Sequence, residues 1–327
     1  MTATDDSMPP ILYHYTDADG LMGIAASPNF PKVYVDAGVD FTGAIKFLAS
    51  DVRFMNDRAE LRHAGEIFAR RFREVAKNPS TPRDRSELLD QLAKTLEVSG
   101  YLGDPVQVFA ACFSGESDEL SQWRGYAGGT GGYAIGIARR TLDHFTFALP
   151  VTQSPLGPIN GEPPSLMWPP RRVFYKENEA IREADRLAQT LQPGSPVPGI
   201  SANFGALWET VAKMARFKDM GFKDEEEWRM IWYHAPNNTR MSMPAEFRTG
   251  RFGVLPFLSI AVNPTAGPPW IAAKEEAGIP RPTRTIDDLV VGPSPDQPLR
   301  VTAAKQLLET NGHDPSVVRA SPIPFRG

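Results

Sequence analysis

The chain has 327 residues, a net charge of −4, one cysteine, 31 prolines and 27 glycines. Proline and glycine together stay below the roughly 25–30% that marks low-complexity disorder, and 41% hydrophobic with 10% aromatic content can bury a sizeable core. Lone Cys112 excludes a disulfide framework or multi-thiolate site. The start MTATDDSMPP lacks the basic and apolar regions of a secretory signal, no apolar run reaches the roughly 18–20 residues of a membrane span, and the mildly acidic total gives no global reason to bind nucleic acid. A cytoplasmic protein is expected.

In chain order, residues 1–10 read as a flexible start, and Ile11–Thr16 alternates as a strand. Leu21–Ala26 makes a helical turn that stops before Ser27-Pro28. Ile45–Ala49 is a second strand. Asn56-Asp57 caps a helix over 59–77, with Leu61, Ile67, Phe68, Phe72 and Val75 on one face and Arg62, Arg70, Arg71 and Arg73 on the other. A helix over 84–98 buries Leu88, Leu89, Leu92 and Leu96. Val106–Phe113 is short and apolar, a buried central strand; its Cys112 reads as inert scaffold. Gly132–Ile137 is another strand, after a glycine cluster that reads as a turn.

Ten of the 31 prolines fall between 150 and 200, so about 150–172 reads as an irregular excursion. Helices follow at 176–191 and 203–217. Strands are expected at 227–234, within Arg251–Ala261, at Ile286–Val291 and at 316–320, with a helix at 300–310 between the last two. Strands scattered among helices without regular βαβ alternation favour α+β: a single mixed or antiparallel β core decorated with helices, one domain over 11–326.

No P-loop, His-Glu-x-x-His or Gly-x-Ser-x-Gly motif is present. His14, His63, His144, His234 and His313 are too dispersed for a metal site, and none is expected. Three constellations carry chemistry. In Tyr13-His14-Tyr15-Thr16, alternation puts His14 and Thr16 on one face and Tyr13 and Tyr15 on the other; His14 suits a ribose or phosphate, or a core carbonyl. Ser121-Gln122-Trp123-Arg124-Gly125-Tyr126 combines a guanidinium, which matches phosphate geometry, with two aromatics that can stack on a flat ring. Its plainer reading is a helix anchored by Trp123. In Phe222–Arg229, Glu227 opens a strand, Glu225 shares its side if the extended conformation begins early, and Arg229 lies on that side too. This is either a carboxylate held against a sugar or an ion pair at a strand mouth.

Leu12–Thr16, Phe54-Met55-Asn56-Asp57 with Glu60-Leu61, Cys112-Phe113-Ser114, Leu120–Tyr126, Gly132–Gly136 and Phe222-x-x-Glu225-x-Glu227-Trp228-Arg229 stand in order. Val291-Gly292-Pro293 and Ser321–Arg326 follow. This pattern resembles the bacterial domain-of-unknown-function 2971 family over about 11–326. His14-x-Thr16 and Glu225-x-Glu227 are more distantly similar to the ADP-ribosyltransferase superfamily, with Tyr133 as a candidate middle element. That likeness implies a split sheet and NAD as co-substrate, its nicotinamide–ribose bond broken by transfer or hydrolysis through an oxocarbenium-like state. Glu227 would stabilise the cation, with Glu225 beside it, and His14 would bind the other ribose. Thr16, Tyr15, Ser121, Trp123, Arg124, Tyr126 and Tyr133 would complete the cofactor site.

A nucleotide or phosphorylated-ligand sensor using the same cleft is the alternative. A third reading is a nuclease or nucleic-acid-associated protein, from the seven basic against four acidic residues over Arg53–Lys77. The expected partner is a nucleotide-like small molecule, with no membrane and an acceptor macromolecule that the sequence does not identify. Convergence of His14, Trp123, Arg124 and Glu227 on one cleft is what both leading readings require.

Overall fold

The computed structural model describes residues 8–26, 40–55, 58–99, 107–127, 131–147, 168–192, 202–234, 245–250, 253–264 and 281–325. Eleven strands form one mixed sheet. They are β1 (Ile11–Thr16), β2 (Ile45–Asp51), β3 (Gln107–Ser114), β4 (Tyr133–Ala138), β5 (Thr146–Phe147), β6 (Trp168–Arg172), β7 (Glu227–His234), β8 (Glu246–Gly250), β9 (Gly253–Val262), β10 (Asp288–Val291) and β11 (Val318–Ala320). Among the described strands, only the β10–β11 pair is parallel. The helices are α1 (Ala18–Ala25), α2 (Arg58–Ala76), α3 (Arg83–Ser99), α4 (Leu120–Tyr126), α5 (Arg139–Leu142), α6 (Glu177–Thr190), α7 (Ala202–Met214) and α8 (Gln297–Thr310). The α+β reading matches this architecture.

β3 organises the molecule. Along its whole length one edge pairs with β7, from Gln107↔His234 to Ser114↔Glu227. The other edge is shared: Ser114 pairs with Tyr13 of β1, while Ala110 and Phe109 pair with Ser50 and Asp51 of β2. β1 and β2 therefore part company along that edge.

Directly opposed residues in antiparallel strands share a face, so the register defines two sides. The back carries Leu12, Phe109, Phe113, Trp228 and Trp232 in one apolar cluster with Leu21 and Ile24 of α1, Leu142 of α5 and Leu308 of α8. The front is covered twice. α2, α3, α6 and α7 pack over Val108, Ala110 and Ile231. Trp123 and Ala127, at α4, pack over Tyr13, Tyr15, Ala134 and Val290. Between these clusters lie Cys112, Ser114, Glu227 and Arg229.

Periodicity located most elements to within a few residues, because their apolar faces meet a cover. Besides the short α5 and β5, which no expectation covered, four differences stand out. Trp168–Arg172, expected within the irregular excursion, is a bulged strand on β7; its prolines sit where one pairing is interrupted, as proline requires. The β8 hairpin strand is extra, exposed along most of its length and so without a burial pattern to betray it. β10 begins two residues later than expected. α8 begins at Gln297, where Pro298 fits the first turn. Expectations for residues 1–7, the Asn56-Asp57 cap, 128–130 and 150–167 lie outside the described residues.

Candidate functional site

Glu227 begins β7 and points to the front, buried. Its Oε1 accepts from Arg229 Nε at 2.7 Å, and its Oε2 accepts from Lys218 Nζ at 2.9 Å and Arg229 Nη2 at 3.1 Å. The Cys112 thiol donates to the same carboxylate. Burial pushes the Glu227 pKa up, but the charges of Arg229 and Lys218 and the donated hydrogen bonds overcome it and hold the group at about 2. Arg229 also donates from Nη1 to Ala215 O at 2.5 Å, fastening the end of α7 to the sheet. The Glu227 N–H donates to the Tyr175 hydroxyl at 2.9 Å. Burial, then the Glu227 carboxylate, raises the Tyr175 phenol to about 12, so it stays protonated at neutral pH.

The extended conformation does not begin early enough to put Glu225 on β7, the condition under which alternation would place it beside Glu227. Met220–Glu225 forms a 3-10 turn, and Glu226 follows in the left-handed region at φ 42°. This conformation is costly for a residue with a side chain. It brings the neighbours to one point by another route: Glu225 Oε2 accepts from Lys218 Nζ at 2.7 Å. Lys218 thus joins both carboxylates. No sequence motif marks it; its place follows from backbone bonds that tie Phe174 to Arg216 and Lys218.

α4 abuts this turn. Its Tyr126 is 44% exposed, yet the nearby environment raises its pKa through burial first, opposed by Lys218 and reinforced by Glu225, Cys112 and Glu227. The phenol is therefore near enough to the ionic cluster for its charges to act on it. Phe222, also exposed, lies against Lys218, with Nζ 4.9 Å from the ring centroid. Arg124 is exposed and makes no ion pair among the described residues.

The other predicted site residues have different work. Trp123 and Tyr15 are buried against each other, ring centroids 4.7 Å apart. The Tyr15 hydroxyl donates to Glu116 O and accepts from Glu119 N–H, while Trp123 Nε1 donates to Asp118 Oδ1 at 2.7 Å. Gly292 lets the indole in, since a Cβ there would lie 2.8 Å from the ring. Neither aromatic is open to a flat ligand. Ser121 is exposed in the first turn of α4, its N–H donating to Glu119 Oε1.

His14 and Thr16 belong to the back. The His14 ring packs edge-on to Phe47 and Phe113 at 5.0 and 5.9 Å, filling the gap between β1 and β2. Its Nδ1 is 2.9 Å from Cys112 O, which can only accept, so Nδ1 carries the proton. Burial lowers the His14 pKa and the Arg248 charge adds to that, outweighing the carbonyl bond, so the ring is neutral at pH 7. Thr16 pairs with Tyr133 across β1 and β4; Tyr133 is buried beneath Arg300, whose Cζ is 4.8 Å from the ring centroid. His14 and Glu227 do not face one ligand. They meet only through Cys112, whose carbonyl holds one and whose thiol holds the other. Half-buried Cys112 belongs to this polar junction, whereas its apolar neighbours suggested inert scaffold.

Three of the four arginines on the basic face of α2 are in ion pairs. Arg70 meets Glu177 at 3.2 Å, Arg71 meets Glu74 and Asp185, and Arg73 meets Glu97. Phe68 and Phe72 are core. No group of three or more His, Cys, Asp or Glu suited to a metal occurs among the described residues, and no described helix is long and apolar enough to cross a membrane.

No curated protein and no solved structure matches this chain. Residues 122–230, which run from α4 through the Lys218 junction to the first half of β7, match the model of the family described as a protein of unknown function, DUF2971.

Proposed function

We propose that this chain binds a nucleotide-like ligand, a flat ring joined to an anionic group, at the front junction of Cys112, Glu227 and Arg229. One observation carries this reading. The apolar cover of the sheet is interrupted there, and the interruption holds a buried network of two cations and two carboxylates whose charges reach the exposed Tyr126. Ionisable groups with strongly perturbed pKa values gathered beside an opening are a recurrent mark of binding and catalytic sites. Tyr126 and Phe222 supply ring faces, and Arg124 supplies an exposed guanidinium suited to phosphate.

This reading takes the second of the two functions expected from the sequence. NAD cleavage as first drawn needs His14 and Glu227 against one dinucleotide, but their side chains belong to opposite faces. It also needs a Glu227 oxygen for the ribose, and both oxygens already accept hydrogen bonds from Arg229 and Lys218.

Calorimetric titration with AMP, ADP-ribose and NAD tests the proposal. Saturable binding of at least one is expected, weakened about tenfold, or about 1.4 kcal/mol, by Tyr126→Ala and by Arg124→Ala. No binding of any of the three, or binding indifferent to both substitutions, overturns it. Nicotinamide release in the NAD samples that disappears in Glu227→Gln would put catalysis in place of simple binding.

A further inference from the structure

The front of the sheet continues past β3 onto β2, β9 and β8. Register places Lys46, Leu48 and Ser50 of β2 on that side, opposite Ala261, Ser259 and Phe257 of β9. Glu246 and Arg248 of β8 lie opposite Phe257 and Leu255, and so share it. Sheet faces that pack on a core carry apolar side chains, but this one brings together two hydroxyls, a carboxylate and two cations.

Two of its oxygens lack partners. Ser259 is 5% exposed and its Oγ makes no hydrogen bond; Glu246 Oε1 is buried and makes none. Buried polar atoms are nearly always satisfied, so each exception needs a reason, such as a molecule that belongs there. The cations set the field around them. Arg248 is exposed, anchored by Nη2 to Ser50 Oγ at 2.9 Å, and its charge reaches His14 in the gap between β1 and β2. Lys46 is near enough to Glu246 for the carboxylate to oppose the effect of burial on its ammonium.

We propose that this face is a second binding site, for a phosphorylated sugar. Sugar hydroxyls donate to Glu246 Oε1 and exchange hydrogen bonds with Ser259 Oγ, and the phosphate lies against Arg248, with Lys46 adding positive field. A buried carboxylate oxygen without a donor calls for a ligand hydroxyl, and an exposed guanidinium fixed by a neighbouring hydroxyl suits a phosphate. The site shares no residue with the junction around Glu227 and stands without it.

Calorimetric titration of the full chain with ribose 5-phosphate, ribose and inorganic phosphate is the test. Ribose 5-phosphate is expected to bind saturably and more tightly than either fragment. Arg248→Ala, Glu246→Gln and Ser259→Ala should each weaken it tenfold or more. Ser259→Ala removes an unpartnered hydroxyl, so it should fold at least as well as the wild type, which separates lost binding from lost structure. No saturable binding up to about 10 mM ligand, far above a millimolar dissociation constant, overturns the proposal. So does an affinity unchanged in Arg248→Ala and Ser259→Ala, or phosphate binding as tightly as ribose 5-phosphate, which would leave only an anion patch.

Discussion

At Glu227 a carboxylate in the interior is kept ionised by two cations and a thiol. Removing one partner of such a network strands the others in a medium that solvates them poorly, which typically costs about 3–5 kcal/mol. Glu227→Gln is therefore expected to lower stability by about that amount at pH 7 in urea unfolding. The pH dependence follows from the same arrangement. The folded pKa of about 2 lies below the ordinary 4.5, so the unfolded chain takes up its proton first as acid is added. Stability from Glu227 is full above about 4.5 and is lost as pH falls toward 2, so the gap between wild type and Glu227→Gln should narrow across that window. A gap that stays constant with pH would mean that ionisation is not what Glu227 contributes. The Glu227–Arg229 pair was legible in sequence because strand residues two apart share a face. Lys218 was not, since a residue between elements acquires neighbours only from tertiary packing.

α4 is short, and a helix of seven residues has little stability of its own. It is held from outside. Asp118 accepts from Trp123 Nε1 and from Ser321 Oγ, at 2.7 Å in each case, and so ties the helix to the segment after β11. Tyr15 pins the preceding turn. Asp118→Ala breaks the tie from both sides; hydrogen bonds to charged groups are worth about 1.5–3 kcal/mol. We expect a loss in that range, with a shift of tryptophan emission as the indole loses its partner. An unchanged emission spectrum would show that packing alone holds the helix. The sequence placed Trp123, Arg124 and Tyr126 together but could not rank them. Three residues apart on a helix, Trp123 and Tyr126 start from nearly the same face, and packing separates them: Gly292 admits the Trp123 ring, while Tyr126 at the end of α4 stays exposed.

In the whole molecule the sheet is the common wall of two cores. β3 sends Val108 and Ala110 into the front cluster and Phe109, Ala111 and Phe113 into the back one. Neither cluster can dissolve without exposing the other side of the same strand, so heat should unfold both in one calorimetric transition; two separated transitions would refute that coupling. The sequence by itself determined the α+β class, most strands and helices, and the alternation within β1 and β7, because these depend on residue spacing along a chain segment. Only the tertiary structure decided which segments meet: that β1 and β2 share one edge of β3, that His14 and Glu227 fall on opposite faces, and that Lys218 joins Glu225 to Glu227. Register across strands depends on contacts between residues as far apart as Tyr13 and Ser114. A one-residue change in pairing would send every side chain to the other face, and no local pattern in the sequence records that choice.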